Sequence, residues 1–206
     1  TIGIDGINIS LDSCNPKTYA EITGSDCLEE VLAAIEEAYA LGLPVKINCV
    51  PLSNMQAADL LAMLDLVKNR NIPLRFIELM PIQDHDEFGE SAYVPCSRVL
   101  EKLSQAVPVS KDGGVAKLYR LPGAKGNIGL ISPINAHFCG ECNRLRLTSD
   151  GKLKPCLHAP DEYSIKGLDK AGIKAVFEQA IWNKPAWHGD LDALHRSQAG
   201  RNMNEI

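Results

Sequence analysis

Residues 5–12 read Asp-Gly-Ile-Asn-Ile-Ser-Leu-Asp, an alternation of period two that predicts a strand. A helix is expected next, capped by Asp26 with Glu29 three residues on. Leu28, Val31, Leu32, Ile35 and Tyr39 recur at helical spacing, and Gly42 ends the run. Residues 44–51 predict a second strand. Ser53 and Gln56 form a second capping box ahead of Leu60, Leu61, Leu64 and Val67, an apolar stripe stopped by Asn71-Ile72-Pro73. Residues 74–80 predict a third strand. This βαβαβ rhythm predicts an α/β fold with parallel strands and right-handed crossovers.

Parallel strands covered on both faces are apolar throughout. These are not. Ile7, Ile9 and Leu11 alternate with Asn8, Ser10 and Asp12; Val45, Ile47 and Cys49 alternate with Lys46 and Asn48; Glu78 stands between Ile77 and Leu79. One sheet face is therefore expected to be polar, with helices on the other. It lines a ligand cavity or is an ordinary solvated face. In barrels, sites form at the carboxyl ends of strands, where Ser10, Asp12 and Met80 fall.

Residues 83–95 lapse into Asp, Glu, Gly and Pro, the expected domain boundary. Residues 97–103 predict a short helix, and Lys111-Asp112-Gly113-Gly114 a turn between strand-like runs. The glycines and lysine within residues 119–134 could contact phosphate or form only a loop. Residues 165–181 are expected to be helical in part, with Trp182 and Trp187 packing the helix down. Residues 197–206 have no readable period.

Cys139 and Cys142 form a Cys-x2-Cys pair, with thirteen residues between Cys142 and Cys156. Alternating Arg144, Leu145, Arg146 and Leu147 meet Asp150-Gly151, a hairpin signal. With those two as the turn, Ser149 opposes Lys152 and Cys156 falls opposite Leu145, close to the other two cysteines. Three thiolates suit zinc or an iron–sulfur cluster. Zinc wants a fourth ligand, for which His137 and His158 stand two residues from a cysteine. A 4Fe–4S cube on three cysteines keeps one iron open. A strand beginning near Cys142 would set Arg144 and Arg146 on the metal side, where guanidiniums hold a phosphate-like anion. The plainer alternative is a zinc knuckle with solvated arginines, a non-catalytic interaction module on three Cys and one His.

The chain of 206 residues is long enough for one large domain or two small ones. A net charge of −5 and the lack of a long basic run argue against nucleic-acid binding. No apolar run approaches the ~18 residues of a membrane span, and no signal peptide opens the chain. Seven cysteines, four of them (Cys14, Cys27, Cys49, Cys96) scattered through apolar or loop settings, predict packing thiols and a reducing, cytoplasmic location. The chain opens at Thr1 into a strand-like stretch, as a piece of a longer protein would.

Several stretches together carry a family resemblance: Asn-Ile-Ser-Leu-Asp at 8–12, Val-Lys-Ile-Asn at 45–48, Arg-Phe-Ile-Glu-Leu-Met at 75–80, Gly-Leu-Ile-Ser-Pro at 129–133 and the block from Cys139 to Cys156. The chain resembles the radical S-adenosylmethionine GTP 3′,8-cyclases of molybdenum cofactor biosynthesis, as roughly their C-terminal two-thirds. The resemblance implies an incomplete TIM-like (β/α) barrel lacking its first strands. Residues 1–82 would be its C-terminal half, and residues 83–206 an α+β domain with a 4Fe–4S cluster and the GTP site. Cys139, Cys142 and Cys156 match the ligands of that cluster, whose open iron meets the purine. Lys46, Arg144, Arg146 and the backbone around Leu145 match GTP contacts, and Ser10 and Met80 match S-adenosylmethionine contacts. The implied lyase reaction converts GTP to 3′,8-cyclo-7,8-dihydro-GTP, with no acid or base required among these residues. A second 4Fe–4S cluster belongs to a Cys-x3-Cys-x2-Cys motif that this sequence does not contain. The implied partners are GTP, a reductant, the cyclic pyranopterin monophosphate synthase downstream and a second copy in a homodimer.

Overall fold

The computed structural model describes residues 3–80, 92–110, 114–135 and 138–189. β1 (Ile7–Ser10), α1 (Pro16–Thr23), α2 (Leu28–Ala40), β2 (Val45–Cys49), α3 (Ala57–Lys68) and β3 (Leu74–Ile77) follow in order. The three strands pair in parallel, with Ser10 beside Asn48 and Asn48 beside Arg75. The expected βαβαβ rhythm is thus present.

Helix α1 was not expected. Asn15 caps it by accepting from the N–H groups of Lys17 and Thr18, Pro16 stands at its first turn, and Gly24 closes it with φ 70°. The two expected capping boxes do not form. The residue before α2 is Cys27, without a side-chain cap, so Asp26 stands one position too early. Gln56 precedes α3 and its Nε2 donates to the carbonyl of Asn54 instead. Glu29 and Glu30 still favour the start of α2 through the helix dipole.

After α4 (Cys96–Lys102) come β4 (Val107–Pro108), β5 (Lys117–Arg120) and β6 (Ile128–Ile131). β6 joins β3 in parallel, and β5 and β4 continue antiparallel, giving a six-stranded mixed sheet in the order β1-β2-β3-β6-β5-β4. The first sheet is therefore not confined to residues 1–82. Two compact units result, Thr1–Leu79 with Phe88–Asn135 and Met80–Glu87 with Ala136–Ile206. The turn expected at Lys111–Gly114 has residues 111–113 outside the described ones.

One face of the first sheet packs into a core with the helices. Val45, Ile47, Leu74, Phe76, Ile128 and Leu130 meet Ile35 of α2, Leu60, Met63 and Val67 of α3, and Val99 of α4. Full burial of each such side chain is worth about 1.5–3 kcal/mol. The loop before β6 sits on the end of α3. The N–H of Lys125 donates to Lys68 O at 2.9 Å and that of Gly126 to Val67 O at 3.1 Å. A Cβ at Gly126 would lie 2.3 Å from Ile72 O. The amides of Lys125 and Gly126 thus serve the carbonyls of a helix end.

The second unit holds the antiparallel sheet β7 (Arg146–Leu147), β8 (Lys152–Lys154) and β9 (Tyr163–Ser164), followed by α5 (Lys170–Trp182). Asp169 caps α5 by accepting from Gly172 N at 2.8 Å. The expectation for the tryptophans fails: Trp182 is 89% and Trp187 52% exposed, and Ala180 is the buried residue of α5. Among the described residues no helix is long and apolar enough to cross a membrane.

Candidate functional site

The hairpin of β7 and β8 is set by Thr148. Its N–H donates to Lys152 O at 2.8 Å, its hydroxyl accepts from Lys152 N at 2.8 Å, and its carbonyl accepts from Gly151 N at 3.1 Å. Gly151 takes φ 79°. A tight turn followed by a left-handed glycine is the three-residue hairpin loop, here Ser149-Asp150-Gly151. The pairing is Arg146 with Lys154 and Leu147 with Leu153. The expected two-residue turn at Asp150-Gly151 is therefore off by one. Carried outward, the observed register aligns Cys156 with Arg144, not with Leu145.

Cys139–Glu141 form a 3₁₀ turn, closed by Cys142 N donating to Cys139 O at 3.1 Å. Residues 142–145 are irregular, and the strand begins at Arg146 rather than near Cys142. Strand parity counted from Cys142 therefore does not set the side of the arginines. Cys139, Cys142 and Cys156 are half-buried free thiols. Among the described residues no three His, Cys, Asp or Glu side chains converge on one metal ion. A cube presents separate irons to separate thiolates, so its ligands need not converge on a point. The donor chemistry, three free thiols, fits a cluster. His137 lies outside the described residues. His158 is buried, with its ring edge-on to His188 at 5.4 Å between centroids.

Arg144 and Arg146 are exposed, and among the described residues neither guanidinium has a hydrogen-bond or ion-pair partner. The neighbouring lysines differ. Lys152 pairs with Asp150 at 2.8 Å and Glu162 at 3.2 Å, and Lys154 with Glu162 at 3.4 Å. Burial would raise the Glu162 carboxyl, but hydrogen bonds from Lys152 and Lys154 outweigh it and hold the group below its ordinary value. Leu145 between the arginines is half-buried.

In the first unit, Asn8 pairs with Lys46, and Ser10, Asn48, Arg75 and Gly129 line up across four strands. Paired residues share a face. Among the described residues, Asn48 Oδ1 and Arg75 Nε are buried without a partner. Gly129 leaves room beside Arg75, whose Cγ would be 3.2 Å from a Cβ there. Asp12 accepts from Val50 N at 2.7 Å, and burial raises its carboxyl. Glu78 is not on the polar face. It shares the parity of Leu74 and Phe76, is 1% exposed, and accepts from Cys96 N at 3.0 Å, Ile134 N at 3.3 Å and Asn135 Nδ2 at 3.4 Å. The polar-face residue of β3 is Arg75. Met80 is half-buried and falls in the second unit, whereas Ser10 falls in the first.

The family model described as Molybdenum Cofactor Synthesis C matches residues 72–189. The chain belongs to that family. It is similar to the GTP 3′,8-cyclase of Alkaliphilus oremlandii (strain OhILAs), with 41% identity over 211 residues that cover 99% of this chain and 65% of that protein. The GTP 3′,8-cyclase of Alkaliphilus metalliredigens (strain QYMF) gives 41% over 209 residues, 99% of this chain and 65% of the relative. That of Moorella thermoacetica gives 39% over 197 residues, 90% of this chain and 61% of the relative. The chain thus spans 65% or less of the length of these relatives.

Within this Molybdenum Cofactor Synthesis C chain, the polar-face row contains two residues with a buried polar atom that has no partner among the described residues, Asn48 and Arg75, neither of them singled out in the sequence as a site residue. The signal for Arg75 was its place in the Arg-Phe-Ile-Glu-Leu-Met motif. The four scattered cysteines are free and packed. Burial pushes Cys14 and Cys96 up to about 11 and Cys49 well above its ordinary value, which makes them poor nucleophiles.

Proposed function

We propose that this chain is the nucleotide-binding part of a GTP 3′,8-cyclase, a lyase that converts GTP to 3′,8-cyclo-7,8-dihydro-GTP in molybdenum cofactor biosynthesis. Cys139, Cys142 and Cys156 would hold a 4Fe–4S cluster with one open iron. Arg144, Arg146 and the backbone at Leu145 would contact GTP, the guanidiniums favouring a phosphate-like anion, and Lys46 of the first unit is a GTP contact by the family resemblance. Ser10 and Met80 contact S-adenosylmethionine on the radical SAM partial barrel. When bound, the clusters and S-adenosylmethionine supply a ligand position for the purine and the radical abstraction of hydrogen from the ribose. The residues of this chain bind and orient. A planar guanidinium can give phosphate two parallel hydrogen bonds, and holding the ribose fixed favours reaction at one carbon. The seven free thiols suit a reducing, cytoplasmic setting.

The observation that carries this reading is that the chain leading into and out of one hairpin carries three free thiols and two guanidiniums that have no partner among the described residues, in a chain 41% identical to a GTP 3′,8-cyclase. The test is anaerobic reconstitution with iron and sulfide. About four irons per chain and broad absorbance near ~400 nm are expected, and GTP should perturb the spectrum of the reduced cluster. Cys142→Ala should abolish iron uptake. A colourless protein with stoichiometric zinc, or a cluster spectrum indifferent to GTP, sinks the reading.

A further inference from the structure

Lys184 stands just beyond α5, and its ammonium serves two backbone carbonyls. It donates to Arg144 O at 2.8 Å and to Pro155 O at 2.7 Å. Arg144 lies two residues past Cys142, and Pro155 immediately precedes Cys156. The two carbonyls belong to opposite arms of the hairpin, outside its ladder. Pairing ends at Arg146 with Lys154, so no strand pairing joins residues 142–145 to residues 155–158. Pro155 has no N–H with which to extend β8.

The lysine is itself held. Its N–H donates to Ile181 O at 3.2 Å, and Asn183 Nδ2 donates to the Tyr163 hydroxyl of β9 at 3.0 Å. The end of α5 is thereby fastened to the same small sheet that carries the hairpin. An ammonium has three donors and no acceptor, which lets one side chain satisfy two carbonyls. Bonds from a charged donor are about twice as strong as neutral ones.

We propose that Lys184 is a positioning residue that fixes the separation of the Cys142 and Cys156 arms and so aligns the thiol trio with Arg144. The proposal rests on the reading of that trio as cluster ligands. Lys184 acts through the backbone on which Arg144 and Cys156 are mounted.

Two variants test it. Lys184→Met keeps the stem and removes the donors; Lys184→Arg keeps a cation with several donors. In the metal-free chain, amide hydrogen exchange at residues 144–147, 153, 154, 156 and 157 should be about tenfold faster in Lys184→Met and near wild type in Lys184→Arg, with the amides of Ile47 and Phe76 unchanged. In the chain reconstituted with iron and sulfide, iron loss to a chelator should be about tenfold faster in Lys184→Met and restored by Lys184→Arg. Unaltered exchange in Lys184→Met overturns the proposal. So does faster exchange with unaltered iron loss, because the tie then has no consequence for the trio. If the wild-type chain takes up no iron, the cluster reading fails separately, and the exchange comparison alone supports or overturns the tie. Should Lys184→Met not fold, Lys184→Gln, with a shorter neutral donor, is expected to show intermediate exchange; wild-type exchange in that variant overturns the tie.

Discussion

Arg146 and Lys154 occupy directly opposed positions on β7 and β8, two cations on one sheet face. Like charges so placed repel. The pair is relieved on one side only, since Glu162 reaches Lys154 at 3.4 Å. Arg146 keeps its charge uncompensated among the described residues, as does Arg144. We predict that Arg144→Ala and Arg146→Ala each weaken GTP binding by about 1.5–3 kcal/mol, the value of a hydrogen bond to a charged group. Both side chains are exposed, so the melting curves should move little. Calorimetric titration with GTP checks this; unchanged affinity in both variants removes the phosphate assignment.

Arg75 should behave in the opposite way towards stability. Its Nε is buried and lacks a partner among the described residues, an arrangement that costs folding free energy. Arg75→Met should leave the chain as stable as wild type or more stable by up to about 1 kcal/mol, while weakening anion binding. Denaturant unfolding and phosphate or GTP titration measure the two quantities. A loss of stability with ligand binding intact would show that Arg75 is a structural residue.

Glu162 gives the small sheet an acid sensitivity. Folding holds its carboxyl below the ordinary value of 4.5, against the effect of burial, through Lys152 and Lys154. A carboxyl depressed on folding contributes stability above its unfolded pKa and loses it as pH falls through its folded pKa. The melting temperature of wild type should therefore exceed that of Glu162→Gln near neutral pH, with the gap closing below about pH 4. A gap that stays constant down to about pH 3 contradicts this account.

Gly126 is required by space rather than by dihedral angle. A methyl group there meets the carbonyls of Ile72 at 2.3 Å and Val67 at 2.9 Å, both backbone atoms that cannot swing aside. Gly126→Ala should destabilise the chain by about 1–3 kcal/mol or more, in line with overpacked sites, and loosen the end of α3. A chemical melt indistinguishable from wild type would refute the close approach.

Period-two alternation and helical stripes located β1, β2, β3, α2 and α3, because burial on one face leaves that imprint directly. The order of the thiols and arginines along the chain was plain in the sequence, but not how the backbone around them is arranged. What escaped was register. Asp150-Gly151 fits a two-residue turn as well as a three-residue loop, and only the Thr148 hydroxyl, by capping Lys152 N, selects the longer one. In the third strand, Glu78 between two apolar residues looked like a polar-face position, yet pairing with β6 puts Arg75 there instead. Helix α1 was announced by Asn15-Pro16 and Gly24, but its stripe is too short to stand out. Trp182 illustrates the limit of size as a guide, since nothing in its neighbours signalled a ring left in solvent.

The Glu78 carboxylate accepts from the backbone N–H groups of Cys96 and Ile134 and from the side-chain amide of Asn135, donors on two segments far apart along the chain. An acceptor held in common cannot be surrendered by one donor alone without leaving a buried charge short of bonds. The start of α4, the end of β3 and the segment after β6 are thereby bound into one cooperative unit, and transient openings there should be all-or-none, with no one of the three fraying by itself.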